Sequence, residues 1–125
     1  MAQEEIKTAG ARLRQAVGFY RFLFRDEKEL QDGLEQVLAG AGFKVEREVT
    51  LGPGDVVDFL VEPGIAVEVK IGGGLSEVTR QLHRYAQHER VRALVLITSK
   101  SRLGNLPATM NGKLVDVVVL LGGIV

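Results

Sequence analysis

The strongest constraint on the fold lies between residues 56 and 70. Two short β-rich runs, Val56–Val61 and Ile65–Lys70, are separated only by Glu62-Pro63-Gly64. A Pro-Gly pair in so short a connection suits a tight turn, so the two runs are predicted to form an antiparallel hairpin. That hairpin is expected at the centre of the structure.

The flanking segments set the fold class. Upstream, Ile6, Leu13, Val17, Tyr20 and Phe24 recur at helical spacing, which predicts an N-terminal helix. Asp26 followed by Glu29 resembles an acidic capping box, and Leu30, Leu34, Val37 and Leu38 form the stripe of a second helix that stops at Gly40-Ala41-Gly42. Phe43–Leu51 alternates imperfectly and ends at Gly52-Pro53-Gly54, the mark of a first strand. Downstream, residues 75–89 place Leu75, Val78, Leu82 and Ala86 on one helical face. Arg92–Thr98 and Leu114–Leu121 are β-branched runs without alternation, as in buried strands. The predicted order is ααβββαββ. A helix between the third and fourth strands makes that pair parallel, giving a mixed central sheet flanked by helices in an α/β fold. With 125 residues, one domain spanning 1–125 is expected, with residues 1–25 as a helical extension and 26–121 as the core.

Composition removes several kinds of chemistry. There is no cysteine and only two histidines, so a zinc-thiolate site or a cysteine nucleophile is excluded, and a metal would rest mainly on carboxylates. His83 and His88 lie on a helix surface and receive no role. No apolar run approaches the ~20 residues of a membrane helix, and the N-terminus lacks the pattern of a secretory signal, so a cytoplasmic protein without membrane association is expected. The formal net charge is zero, but it is unevenly distributed. Residues 1–69 carry eight basic side chains against thirteen acidic, and residues 70–125 carry eight against three. A cation-binding acidic site beside a phosphate-binding basic surface fits that asymmetry.

The hairpin carries the candidate chemistry. Along Ile65-Ala66-Val67-Glu68-Val69-Lys70, Glu68 and Lys70 share a face ~6–7 Å apart, while Asp58 stands among apolar neighbours on the preceding strand. An unpaired carboxylate there would be costly to bury, so Asp58 requires a partner. Asp58 and Glu68 could hold Mg²⁺, with Mn²⁺ able to substitute, and Lys70 could orient a water or offset charge on a phosphate.

This arrangement resembles the PD-(D/E)XK phosphodiesterase superfamily. Its restriction-endonuclease-like αβββαβ core carries an acidic residue on the second strand and Glu-x-Lys on the third, as Asp58 and Glu68-Val69-Lys70 do here. The resemblance spans residues 27–100 and implies Asp58, Glu68 and Lys70 as catalytic residues, with Glu35 on the preceding helix as a further metal ligand. Gln81-Leu82-His83-Arg84-Tyr85 resembles the Gln-x-x-x-Tyr motif of RecB-like exonuclease domains, which adds Gln81 and Tyr85, and the hairpin is equally similar to that of archaeal Holliday-junction resolvases. Val57 stands where the family's proline would precede the acid. Arg80, Arg84, Lys100 and Arg102 are expected to contact DNA phosphates. Gly72-Gly73-Gly74 lacks the spacing of a nucleotide-binding loop, so no nucleotide cofactor is expected, and the loop reads as a flexible link that lets DNA approach. A resolvase would act as a homodimer. The competing reading is a non-catalytic nucleic-acid-binding module or a subunit of a larger DNA-processing assembly.

Overall fold

The computed structural model describes residues 2–121; Met1 and residues 122–125, the two ends of the expected domain, lie outside it. The elements are α1 (Ala2–Phe19), α2 (Glu27–Gly40), β1 (Val45–Gly52), β2 (Asp55–Val61), β3 (Ile65–Lys70), α3 (Leu75–Tyr85), β4 (Ala93–Thr98), a 3₁₀ turn (Ser101–Gly104), β5 (Thr109–Met110) and β6 (Lys113–Val119). The six strands form one mixed sheet in the order β1-β2-β3-β4-β6-β5, within the α/β class expected. β2 runs antiparallel to both its neighbours, β1 and β3, whereas β3, β4 and β6 are parallel.

Helices cover both faces of the sheet. On one, α1 buries Ile6, Ala9, Leu13 and Val17 and α2 buries Leu30, Leu34 and Leu38, all against Phe59, Val67, Val69, Val95 and Ile97. On the other, α3 buries Val78, Leu82 and Tyr85 against Ala66, Leu94 and Leu96. Each fully buried Leu or Val contributes ~1.5–3 kcal/mol by leaving water. The parallel strands in the middle therefore read as continuous apolar runs: every residue of β4 is buried.

Local chemistry fixes the helix ends. Asp26 Oδ1 accepts the Glu29 N–H at 2.9 Å, satisfying an otherwise orphaned donor in the first turn of α2. At the far end of α3, Lys113 Nζ donates to the carbonyls of Ala86 and His88 at 2.7 and 3.0 Å. A cation there also complements the negative end of the helix dipole.

The structure moves some expected boundaries. α1 ends at Phe19, so Tyr20 is exposed beyond it and the buried Phe24 belongs to the connection rather than to the helical stripe. α3 ends at Tyr85 instead of reaching Glu89. The 3₁₀ turn and the two-residue β5 have no counterpart in the sequence reading, because elements this short carry too little periodicity to register.

Candidate active site

β2 and β3 pair only over Phe59↔Val67, Leu60↔Ala66 and Val61↔Ile65, and beyond these residues they part. Asp58 and Glu68 are the next residues of the two strands, and their side chains fill the fork. The Asp58 N–H donates to Glu68 Oε1 at 3.2 Å, and the Val69 N–H donates to Asp58 Oδ2 at 2.8 Å. Each carboxylate therefore satisfies a backbone donor of the opposite strand, where ladder hydrogen bonds would otherwise run. Asp58 Oδ1 and Glu68 Oε2 are not tied to backbone in this way.

Glu68 is 2% exposed. Burial, with the neighbouring Asp58 charge adding to it, pushes its carboxyl up to about 8. Asp58 is raised as well, chiefly by burial, against which the Val69 N–H works. Lys70 Nζ lies 3.6 Å from Glu68 Oε2, too long for a hydrogen bond, so its pull on the Glu68 proton is weaker than the burial that opposes it. Two acids close together in an apolar setting hold a proton near neutral pH, and a cation would displace it.

Gln81 and Tyr85 stand behind this pair. Gln81 Nε2 donates to the Tyr85 hydroxyl at 2.9 Å, and that hydroxyl donates to the Val56 carbonyl at 2.8 Å. Tyr85 is 1% exposed, and burial together with the Glu68 charge pushes its phenol up, so it remains a neutral donor locked to β2. The two side chains form a wall that fixes the β2 backbone beside Asp58.

Glu35, expected as a metal ligand, is not part of the fork. It accepts from Arg47 Nη1 at 3.1 Å, and the Arg47 guanidinium lies 5.8 Å from the Phe59 ring centroid, on the α1/α2 face of the sheet. Glu35 is not among the charges that act on Asp58 or Glu68. The α2 carboxylate that reaches the site is Glu27, which the sequence reading passed over. Its Oε2 accepts from the Ile71 N–H at 3.3 Å, and its charge acts on Asp58. A signal for it existed: Glu27 is seven residues before Leu34, hence on the helical face turned toward the sheet, whereas Glu35 is one position off that face.

Glu27, Lys70, Gly72, Gly73, Gly74 and Glu77 line a cleft of about 340 Å³ at the end of β3. It opens where the parallel strands finish, with Lys70 opposite Thr98 of β4, the customary place for a ligand in an open α/β sheet. The glycine loop is less free than expected, because Arg102 Nη1 donates to the Gly73 carbonyl at 2.7 Å while Ile71 is held by Glu27. Nothing lies within 4 Å of where a Cβ would stand on Gly72, Gly73 or Gly74, so packing does not demand glycine there.

The expected phosphate contacts fall in three places. Arg102 sits at the cleft through Gly73, and Lys100 stands two residues past the end of β4, its N–H donating to Thr98 Oγ1 at 3.0 Å. Arg84 is committed elsewhere: its Nε donates to Asp55 Oδ1 at 3.0 Å, and His88 Nε2 lies 2.8 Å from the other oxygen of the same carboxylate. Arg80 is exposed on α3.

Among the described residues no three acidic or histidine side chains converge on one point. The donor set at the fork is two carboxylates, the number that Mg²⁺ commonly takes from a protein when water and substrate phosphate complete its octahedron. None of the described helices is long and apolar enough to cross a membrane. In comparisons with known proteins, the chain matches no family model, no curated protein and no solved structure.

Proposed function

We propose that this protein is a metal-dependent DNA nuclease of the PD-(D/E)XK kind that hydrolyses phosphodiester bonds at the β2–β3 fork. One observation carries the reading: two carboxylates, one of them almost wholly buried, meet across parted strands with an ammonium group 3.6 Å away. A hairpin that needed only stability would place apolar residues there, since burying acids without a cation raises their proton affinity at a cost in folding free energy.

A hard divalent cation, Mg²⁺ or Mn²⁺, would polarise a phosphate oxygen and lower the pKa of a water. Asp58 and Glu68 supply its anionic ligands. Lys70 stabilises the negative charge that develops on the phosphate as water attacks phosphorus and the P–O bond breaks. Gln81 and Tyr85 hold the β2 backbone in place, so Asp58 keeps its position as the charge changes. Lys100, Arg102 and Arg80 position the DNA through its phosphates, which carries no sequence information. The chain needs no nucleotide cofactor. A homodimer would set two such sites on one four-way junction, the resolvase form of the activity.

The test is incubation with labelled four-way junction, linear duplex, single-stranded and supercoiled DNA, with Mg²⁺, Mn²⁺ or chelator, alongside Glu68→Ala and Lys70→Ala. Metal-dependent cleavage lost in both variants is expected. Paired symmetric nicks in the junction select the resolvase form, and progressive shortening of linear DNA selects an exonuclease. Binding to DNA without cleavage of any substrate overturns the proposal in favour of a non-catalytic binding module.

A further inference from the structure

A distortion stands in β1, two strands away from Glu68. Glu48 has φ 54, in the left-handed region, although it lies within a strand and is not glycine. Side chains in this region crowd the backbone, and the cost is of order 1 kcal/mol or more. The register of β1 on β2 is constant from Val45↔Val61 to Thr50↔Val56, and the one pair missing is Glu48 with Asp58. The strained residue therefore stands opposite the β2 carboxylate.

Both strands roll over at that point. Residues two apart in a strand ordinarily share a face. Val45 nevertheless packs in the α1/α2 layer, whereas Val49 and Leu51 pack in the α3 layer. On β2, Phe59 and Val61 belong to the α1/α2 layer and Val57 to the α3 layer. The change of face falls between Arg47 and Val49 on one strand and between Phe59 and Val57 on the other. In a regular ladder, Asp58 would project squarely to one face. Because the chain turns at Asp58, its N–H and carboxylate instead meet Glu68 Oε1 and the Val69 N–H between the strands.

We infer that Glu48 is a positioning residue: its left-handed backbone, opposite Asp58, is the hinge that rolls β1 and β2 together and holds the β2–β3 fork open for the two carboxylates. The exposed Glu48 side chain is not required; the backbone conformation is. The role in cation binding rests on the function proposed above, whereas the hinge itself does not.

The experiment compares Glu48→Gly, Glu48→Ala and Glu48→Ile. Glycine reaches positive φ without penalty, alanine keeps the crowding, and a β-branched side chain opposes it most. Three readouts apply: melting temperature, hydrogen exchange at the Val69 amide, and NOEs from the Val57 methyl groups to the α3 layer. Glu48→Gly is expected to melt above wild type, with Val69 protection and the Val57 contacts retained. Glu48→Ile should melt below it, lose most of the Val69 protection and weaken the Mn²⁺-induced rise in melting temperature, with glycine rescuing all three. If Glu48→Ile does not fold, the Gly and Ala variants decide: Ala melting at or above Gly overturns the inference. So does a folded Glu48→Ile with Val69 protection and Val57 contacts unchanged. Exchange and NOEs are read without metal or DNA, so a hinge confirmed in a protein that binds no Mn²⁺ would count against the nuclease reading alone.

Discussion

Glu68→Gln removes the charge that burial resists while keeping the shape of the side chain and an oxygen that can accept the Asp58 N–H. The Glu68 carboxyl rises from 4.5 to about 8 in the folded protein, so between those values the folded state binds a proton that the unfolded state releases. Stability from this group is complete below about pH 4.5 and is lost as the pH rises toward 8. At ~1.36 kcal/mol per pKa unit the full effect is on the order of 5 kcal/mol. Relaxation and water penetration as Glu68 ionises reduce it, leaving a few kcal/mol in a measured difference. Urea unfolding at pH 5 and pH 9, without divalent metal, should show wild type losing that amount and Glu68→Gln losing much less. At pH 9 the variant should be the more stable protein. Asp58 titrates in the same direction and interacts with Glu68, so the difference between the two proteins reports the Glu68 charge together with its coupling to Asp58. A wild-type stability that is flat or rises over this range, or a variant that loses as much as wild type, would refute the argument.

Replacing Glu35 by Gln should leave the Mn²⁺-induced rise in melting temperature intact and cost no more than ~1 kcal/mol, because its partly exposed pair with Arg47 contributes little and Arg47 keeps Asp32 as a partner. Glu27→Gln should reduce that rise, since Glu27 lies within electrostatic reach of Asp58. The carboxyl of Asp55 is held below its ordinary value by His88 and then Arg84, so its contribution to stability is present above about pH 4 and disappears as the pH falls. Asp55→Asn is accordingly expected to cost about 1 kcal/mol at pH 7 and progressively less as the pH falls below about 4, by chemical unfolding. Leu82→Ala, at a fully buried position on the inner face of α3, should cost ~2–5 kcal/mol, visible as a fall in melting temperature.

The hairpin, the parallel β3–β4 pair and the two-faced packing were legible because each rests on strong local patterns: a Pro-Gly turn, a helical interval and uninterrupted apolar strands. Asp58, Glu68 and Lys70 were placed on neighbouring strands by the same patterns. Three things were not read in that way. Whether Glu27 or Glu35 faces the sheet depends on how α2 is rotated; its apolar stripe contained that information, although the choice of Glu35 followed the family resemblance instead. The pairing of Arg84 with Asp55 joins residues 29 apart in the chain, and no local pattern connects them. The turn at Glu48 is hidden because glutamate does not announce a positive φ as glycine does; only the shift of Val45 and Val49 to opposite layers reveals it.

Calorimetric titration of Mn²⁺ into the protein at pH 7, in two buffers of different ionisation enthalpy, tests the central claim most directly. If the fork is a cation site, Mn²⁺ binds, close to one proton is released per ion because Glu68 must ionise, and Glu68→Gln abolishes both the binding and the release. Absence of binding, or binding that Glu68→Gln leaves unchanged, would contradict the account.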